Sequence, residues 1–339
     1  MRSTFRYFFL ASVLSAFGLS RVFAQAPGVA IESQEPLMNN PEILAKAGRL
    51  REAGALLSKE KVGEQLSKPT GGPINLAEPA SRTLSGRELA ARARNAYVRL
   101  GWYYRCPHCD QWHLNTAGSY AIAPDALATC YHCLLPNVEM KEGYVIAIDP
   151  KGEVHAILSV LAKSQSMDCA IVRVEASAGE LTPLGLQEDV APGDKVWCFS
   201  EPLGQQGYFS GGIVNRFYWN PGRSGAAGSL DELKSLRVNV STDWAPGSSG
   251  AAVLDECGNV IGHVSRIMSL SRNGPAQMPP PSAPETAGEE KKAEPKRPQP
   301  GIEPVLITLH EAVPARSVRA LAKKASSETA ATVNGPAAP

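Results

Sequence analysis

From Ala96 to Ile267 the chain is a succession of short runs rich in β-branched and aromatic residues, with no helix-length amphipathic segment between them. The runs are AYVRLGWYY, LNTAGSYAIA, ALATCYH, YVIAIDP, EVHAILSVLA, CAIVRVE, KVWCFSE, GGIVNRFYW, LRVNVST, AAVLDE and VIGHVSRI. Turn chemistry separates them: Ala123-Pro124-Asp125, Asp149-Pro150-Lys151-Gly152, Ala191-Pro192-Gly193-Asp194 and Glu256-Cys257-Gly258-Asn259. Proline presets the φ that a turn needs, and glycine supplies positive φ without a steric penalty. Parallel strands need crossover connections of a dozen or more residues, usually helical, and none are present. The pattern therefore predicts an all-β, antiparallel sandwich or barrel.

The flanks read differently. Residues 25–92 form a helical N-terminal extension low in β-formers. PEILAKAGRLREAGALLS and SGRELAARARNAYVRL carry apolar residues at helical spacing, and Ser85 or Thr83 is placed to cap the second helix. KPTGGPINLAEPAS between them reads as a linker. A pro-segment, a packing arm and a partner-binding arm all fit this region. Residues 272–302 are rich in proline and charge and nearly free of large apolar side chains, which predicts a disordered loop. VLITLHEAVPARSVRALAKKA after it predicts a last strand and a short C-terminal helix ending near 325, followed by a flexible tail, 326–339.

Residues 1–24 predict a secretory signal peptide. Arg2 and Arg6 precede the apolar run YFFLASVLSAFGLS, too short to span a bilayer, and small residues stand at Val22-Phe23-Ala24. An uncleaved anchor is the alternative. The expected location is periplasmic or extracellular, with no stable membrane insertion after cleavage. Cleavage would remove three arginines, leaving 31 basic against 33 acidic residues of the 34 and 33 in the whole chain. That balance and the lack of a basic, aromatic-studded stripe argue against nucleic acid as a partner. Export also makes disulfides permissible for the seven cysteines.

Acyl transfer by a serine needs an activated hydroxyl, a base, a group that orients the base, and donors for an oxyanion. TDWAPGSSGAAVLD offers Ser249 between Gly247 and Gly250. ALATCYHCLLP sets His132 at the end of an apolar strand, and SMDCAIVRVE sets Asp168 at the mouth of another. Each alone has a bland reading: a Gly/Ser turn, a strand-end histidine, a strand-capping carboxylate. Their occurrence together, in the order His, Asp, Ser, points to nucleophilic catalysis.

These segments resemble the trypsin-like serine peptidases, most closely the bacterial high-temperature-requirement branch, over residues 93–325. GSYAIAPDALATCYHCLL is similar to that family's lead into the catalytic histidine, and DCAIVRVE to its Asp-Leu-Ala-Val strand. LGLQEDVAPGDKVWCFSEPLGQQGYFSGGIVN, TDWAPGSSGAAVLDECGNVIGHVS and ITLHEAVPARSVRALA follow in the family's order. The resemblance implies a double six-stranded antiparallel β-barrel, no cofactor, and protein or peptide substrates cut through an acyl-enzyme. It assigns His132 as general base, Asp168 as its orienting acid and Ser249 as nucleophile, with the amides of Gly247 and Ser249 as oxyanion hole. Ser265 falls where the family holds a serine beside the aspartate and pairs substrate backbone. Asp243, Arg266 and Ile267 fall around the specificity pocket and suggest a small or aliphatic side chain before the cut.

Three departures stand out. Ala251 replaces a usual glycine, so its methyl is expected to strain the turn if the backbone there is glycine-only. Ser248 replaces the aspartate of zymogen-activated members, so activation by a freshly cut N-terminus is not expected. The branch's C-terminal PDZ domain is not expected after so short a C-terminal segment. A catalytically silent binding or assembly module is the alternative function.

Cys106-Pro-His-Cys109 and Cys130-Tyr-His-Cys133 approach zinc-ribbon spacing, with His108 and His113 nearby. Zinc on Cys106, Cys109, Cys130 and Cys133 would restrain His132, and the expected reading is a disulfide instead. Cys133 resembles the family's histidine-loop cysteine, but Thr116 or a neighbour occupies the usual partner position, so Cys106 or Cys109 becomes the candidate partner. Cys169, Cys198 and Cys257 are expected to be core thiols.

Overall fold

The computed structural model describes residues 37–177, 179–271, 274–275 and 305–333. The expected signal peptide, residues 272–273 and 276–302 of the expected proline-rich loop, and the last residues of the tail lie outside these.

Helix α1 (Pro41–Glu52) starts where Asn40 Oδ1 accepts the amides of Glu42 and Ile43, with Pro41 in the first turn. Strand β1 (Leu57–Ser58) leads directly into α2 (Lys59–Ser67), capped by Ser58. Of the two candidate caps for α3 (Gly86–Ala96), Ser85 is the one used. Its hydroxyl accepts the Glu88 amide while the Glu88 carboxylate accepts the Ser85 amide.

Twelve strands then build two closed six-stranded antiparallel barrels, as the alternating runs and turns predict. The first contains β2 (Tyr97–Arg105), β3 (Trp112–Ala123), β4 (Ala126–Thr129), β5 (Glu142–Ile148), β6 (Val154–Ser164) and β7 (Cys169–Val174). Its order is β5-β2-β3-β4-β7-β6, closed by β5 on β6, with β1 added alongside β5. The second contains β8 (Lys195–Ser200), β9 (Tyr208–Trp219), β10 (Leu236–Val240), β11 (Ala252–Leu254), β12 (Val260–Ser271) and a late strand, β14 (Ile307–Pro314). The short helix α4 (Leu230–Leu233) precedes β10, and β13 (Gly274–Pro275) pairs the end of β12. The order β11-β8-β9-β10-β14-β12 closes through β11 on β12. Helix α5 (Ala315–Val333) ends the described chain and runs beyond the end expected at 325, through an alanine-rich stretch that favours helix.

The period of two along each strand decides what faces what. Val98, Leu100, Trp102, Val145, Ala147, Ala170 and Val172 fill the first barrel, whose end is closed by Leu57, Val62 and Leu66. Tyr103, Leu114, Ile146 and Ile148 point outward and receive Ile43 and Ala47 of α1. Tyr120, Ile122, Ala126, Ala128, Cys169 and Ile171 point outward elsewhere and pack on the second barrel, whose Val196, Val253 and Val260 share that core with α3 and α5. The seam between barrels is thus a continuous apolar core, and the candidate site lies along its rim.

The segment read as a linker is an ordered strap. Thr70, Gly71, Gly72 and Ala77 donate backbone hydrogen bonds to Val160, Leu161, Ala325 and Ile122. Asn259 grips Ala80 twice, accepting its amide at 2.7 Å and donating to its carbonyl at 2.8 Å. Linker-like composition was correct about the absence of regular structure, but not about independence from the barrels. Helix α1, the strap and helix α3 all pack against the barrels.

Candidate active site

After β4 the chain enters a 3-10 turn, Tyr131–Leu134, which carries His132 on the rim of the first barrel. Two bonds fix the entrance: Thr129 Oγ1 donates to the Gly118 carbonyl at 2.8 Å and Cys130 Sγ to the Val264 carbonyl at 2.9 Å. Asp168 immediately precedes β7 in left-handed backbone, φ +59°. For a residue with a Cβ that conformation costs about 1–2 kcal/mol, and several contacts hold it. Its carbonyl accepts Nε2–H of buried His263 at 3.2 Å, while His263 Nδ1 accepts from Tyr120 at 3.3 Å. Its carboxylate accepts His132 Nδ1 at 2.9 Å on both oxygens, the His132 amide at 3.2 Å and Ser265 Oγ at 2.7 Å.

The electrostatics follow from these partners. Burial pushes the Asp168 carboxyl up, but the His132 and Ser265 hydrogen bonds and the His132 charge outweigh it and hold the group well below the usual range. The Asp168 hydrogen bond, joined by one from Cys133, pushes His132 up to about 10. Cys133 is drawn down to about 6 by its hydrogen bonds with Cys130 and His132, against its burial. Burial drives His263 down to about 4, so it stays neutral and serves as a donor to the Asp168 backbone.

Ser249 sits in the turn before β11. Gly247 has φ +101°, and a Cβ there would lie 2.7 Å from the Glu201 carbonyl. At Gly250, φ +80°, a Cβ would lie 2.2 Å from the Gly118 carbonyl and 2.4 Å from Thr129 Oγ1. Both positions therefore need glycine. The Ser249 carbonyl is pinned by the Gly118 amide at 2.7 Å. Among the described residues, neither the Gly247 nor the Ser249 amide is spent on a backbone carbonyl. Ser248 is buried as an internal brace, accepting the Ala245 amide at 3.4 Å. Ala251 has an ordinary backbone, so the expected strain is absent. Its methyl instead occupies the space left by Gly118, where an added Cβ would meet it at 3.0 Å.

A cavity of about 120 Å³ is lined by His132, Cys133, Gly247 and Ser249, with Leu100, Trp102, Asn115, Thr116, Ala117 and Asn137. Among the described contacts no hydrogen bond joins Ser249 Oγ to His132; the two side chains meet across this cavity. A second cavity, about 430 Å³, is lined by His132, Asp168 and Ser265, together with Asn220, Arg237, Arg266 and Glu311. Arg266 is held by buried Glu311, Nε to Oε1 at 2.8 Å and Nη2 to Oε2 at 3.0 Å. Asp243 and Ile267 line neither cavity. Asp243 Oδ2 accepts from Tyr208 at 3.4 Å, and Ile267 packs on the apolar core.

Sequence reasoning missed three supports. His263 was visible in GHVSR, but a buried histidine carries no local mark of what it holds. Arg99 on β2 ion-pairs with Glu201, whose carbonyl backs Gly247. These residues are 102 positions apart, and only the fold brings them together.

The seven cysteines stand as free thiols. Their donor atoms form two separate groups, Cys106–Cys109–His113 and Cys130–His132–Cys133, each within 4.8 Å. The expected crosswise disulfide from Cys133 to Cys106 or Cys109 is therefore not formed, and neither is a four-cysteine zinc set. The hairpin places the first pair at its tip, whereas the second is anchored at the barrel seam. Cys169 and Cys198 are buried in the core as expected, but Cys257 is only partly covered in its turn.

Residues 117–262 match the model of the trypsin-like peptidase domain. Serine protease PepD of Mycobacterium tuberculosis is 32% identical over 119 residues, 34% of this chain and 25% of that protein. Protease Do-like 1, chloroplastic, of Arabidopsis thaliana is 28% identical over 116 residues, 33% of this chain and 25% of that protein. The matched region thus spans about a quarter of the length of these relatives. The HtrA-type protease AlgW, solved with a decapeptide, aligns over 71% of this chain and 67% of its own, with a TM-score of 0.48 and 15% identity.

Proposed function

From a chain that carries a trypsin-like peptidase domain, we propose an exported serine endopeptidase that hydrolyses protein substrates through an acyl-enzyme on Ser249. The observation that carries this reading is the bond from His132 Nδ1 to the Asp168 carboxylate at 2.9 Å, with the His132 ring lining the cavity it shares with Ser249 and Gly247. Asp168, as acceptor, holds the proton on Nδ1 and leaves the Nε2 lone pair for the serine proton. Ser249 Oγ bonds the scissile carbonyl carbon as its proton passes to Nε2. The oxyanion takes hydrogen bonds from the amides of Gly247 and Ser249, which have no competing backbone acceptor among the described residues. Nε2–H then protonates the leaving amine as the C–N bond breaks. Water, deprotonated by the same nitrogen, releases the acid and restores Ser249. Ser265 keeps Asp168 ionised and oriented, and His263 holds its backbone.

His132 must be neutral to accept that proton. With its pKa up at about 10, activity should rise with pH across the neutral and mildly alkaline range. Ser265, Arg266, Arg237 and Glu311 give the second cavity a polar wall for substrate backbone. The cleavage preference, the periplasmic or extracellular location and the signal peptide belong to this proposal and rest on the sequence. The test is degradation of casein by the full chain. Wild type should cut it and Ser249→Ala, equally folded by circular dichroism, should not. Cutting that survives in Ser249→Ala would overturn the reading.

A further inference from the structure

The β2–β3 hairpin tip carries a donor set that peptide hydrolysis does not use. Cys106, Cys109 and His113 bring Sγ, Sγ and an imidazole nitrogen within 4.8 Å of one another. Their chain spacing, C-x-x-C-x-x-x-H, matches a hairpin that folds back onto its own strand.

Local backbone explains the convergence. Pro107 restricts φ just after Cys106. Asp110 adopts φ +59°, reversing the chain directly after Cys109. The Cys106 amide donates to the Gln111 carbonyl at 2.9 Å and the Asp110 amide to the Cys106 carbonyl at 3.1 Å, closing the loop. Arg105 and Lys141 hold the Asp110 carboxylate at 2.6 and 2.8 Å, securing its strained position.

The histidine is oriented as a ligand would be. Asn39 Oδ1 lies 2.6 Å from His113 Nδ1 and accepts its proton. Nε2 then presents a lone pair toward Cys109 Sγ, 3.0 Å away. A zinc-bound histidine usually donates the N–H of its far ring nitrogen to an oxygen acceptor in this way. In a tetrahedral site with normal bond lengths, S and N ligands stand roughly 3.5 Å apart, so about half an ångström of opening admits the ion. Cys109 is exposed, so water can complete the tetrahedron.

We propose that Cys106, Cys109 and His113 form a structural zinc(II) site that joins the hairpin tip to the N-terminal arm through Asn39. Asn39 immediately precedes Asn40, the N-cap of α1, so the ion would tie that helix's entry to the barrel. Two thiolates neutralise the dication, and an imidazole with two sulfurs suits zinc over magnesium or calcium. Binding requires loss of the two thiol protons to solvent and no redox step. The site stands independently of the peptidase reading.

The test uses the full chain, reduced, freed of metal, and titrated anaerobically with ZnCl₂ and, separately, CoCl₂. One zinc per chain is expected, with a sulfur-to-cobalt charge-transfer band on cobalt substitution. Cys106→Ser, Cys109→Ser and His113→Asn should each lose the band and at least tenfold in zinc affinity. Asn39→Ala, which keeps all three ligands, should weaken zinc tenfold to a hundredfold. Cys130→Ser and Cys133→Ser should retain full stoichiometry, and zinc should raise the melting temperature of wild type but not of Cys109→Ser. Failure of the folded wild type to bind zinc, loss of binding in Cys130→Ser or Cys133→Ser, or affinity unchanged in His113→Asn would overturn the proposal. So would a Cys106–Cys109 disulfide whose reduction yields no zinc binding.

Discussion

Two segments of this chain share one pattern, Cys106-Pro-His-Cys109 and Cys130-Tyr-His-Cys133, and the fold puts them to different uses. The first lies at an exposed hairpin tip, where its middle histidine, His108, reaches outward to Glu139 at 3.2 Å and His113 from the next strand turns toward the sulfurs. The second lies at the seam of two barrels, where Cys130 is buried against Val264 and its middle histidine is taken by Asp168. The spacing is the same; the neighbours supplied by the fold differ. A C-x-H-C motif therefore carries little chemistry until one knows which side chains the sheet brings against it.

The largest expected contrast is between the two histidines that the pairs engage. His132→Ala should lower kcat for a peptide substrate by roughly 10⁵-fold or more, the scale seen when a triad base is removed. His113→Ala should leave kcat within about threefold, because its partners are Asn39 and Cys109. Comparable losses in steady-state assays would break the division between the segments.

A second contrast concerns backbone fit. Gly118→Ala would drive a Cβ to 2.7 Å from the Ala251 amide, against the turn that carries Ser249. Overpacking of this kind should destabilise the fold by about 1–3 kcal/mol, read by urea unfolding, with a loss of activity. Asp110→Gly should be nearly neutral, because relief of its left-handed backbone offsets the lost pairs to Arg105 and Lys141.

The smallest contrast is in pH dependence. Cys133 helps raise His132, so removing it lowers the imidazole pKa, and the neutral base persists to lower pH. Cys133→Ala should move the acid limb of the kcat/KM profile downward by about one pH unit, whereas Cys109→Ala should not move it. An upward shift in Cys133→Ala would contradict the assigned hydrogen bond.

The barrels were legible because period-two burial and turn residues are local signals. Each of the twelve barrel strands overlies a run visible in the sequence, and Ser85, one of the two caps the sequence offered, is used in a capping box with Glu88. What escaped was non-local. The strap between α2 and α3 draws its order from Val160, Ile122 and Asn259, so its proline-rich composition read as a linker. Ala251 looked like a defect because the glycine that accommodates its methyl, Gly118, lies on a different barrel. The cysteine pairing followed the family's usual bridge rather than the hairpin, which keeps the two pairs apart.

The central claim is that Ser249, activated through His132, is the acylated atom. Incubating the full chain at mildly alkaline pH with a fluorophosphonate probe, then mapping the adduct by peptide mass spectrometry, tests it most directly. The account predicts a single adduct on Ser249, abolished in Ser249→Ala and strongly slowed in His132→Ala. A folded wild type that remains unlabelled at Ser249, or one labelled equally well without His132, would contradict it.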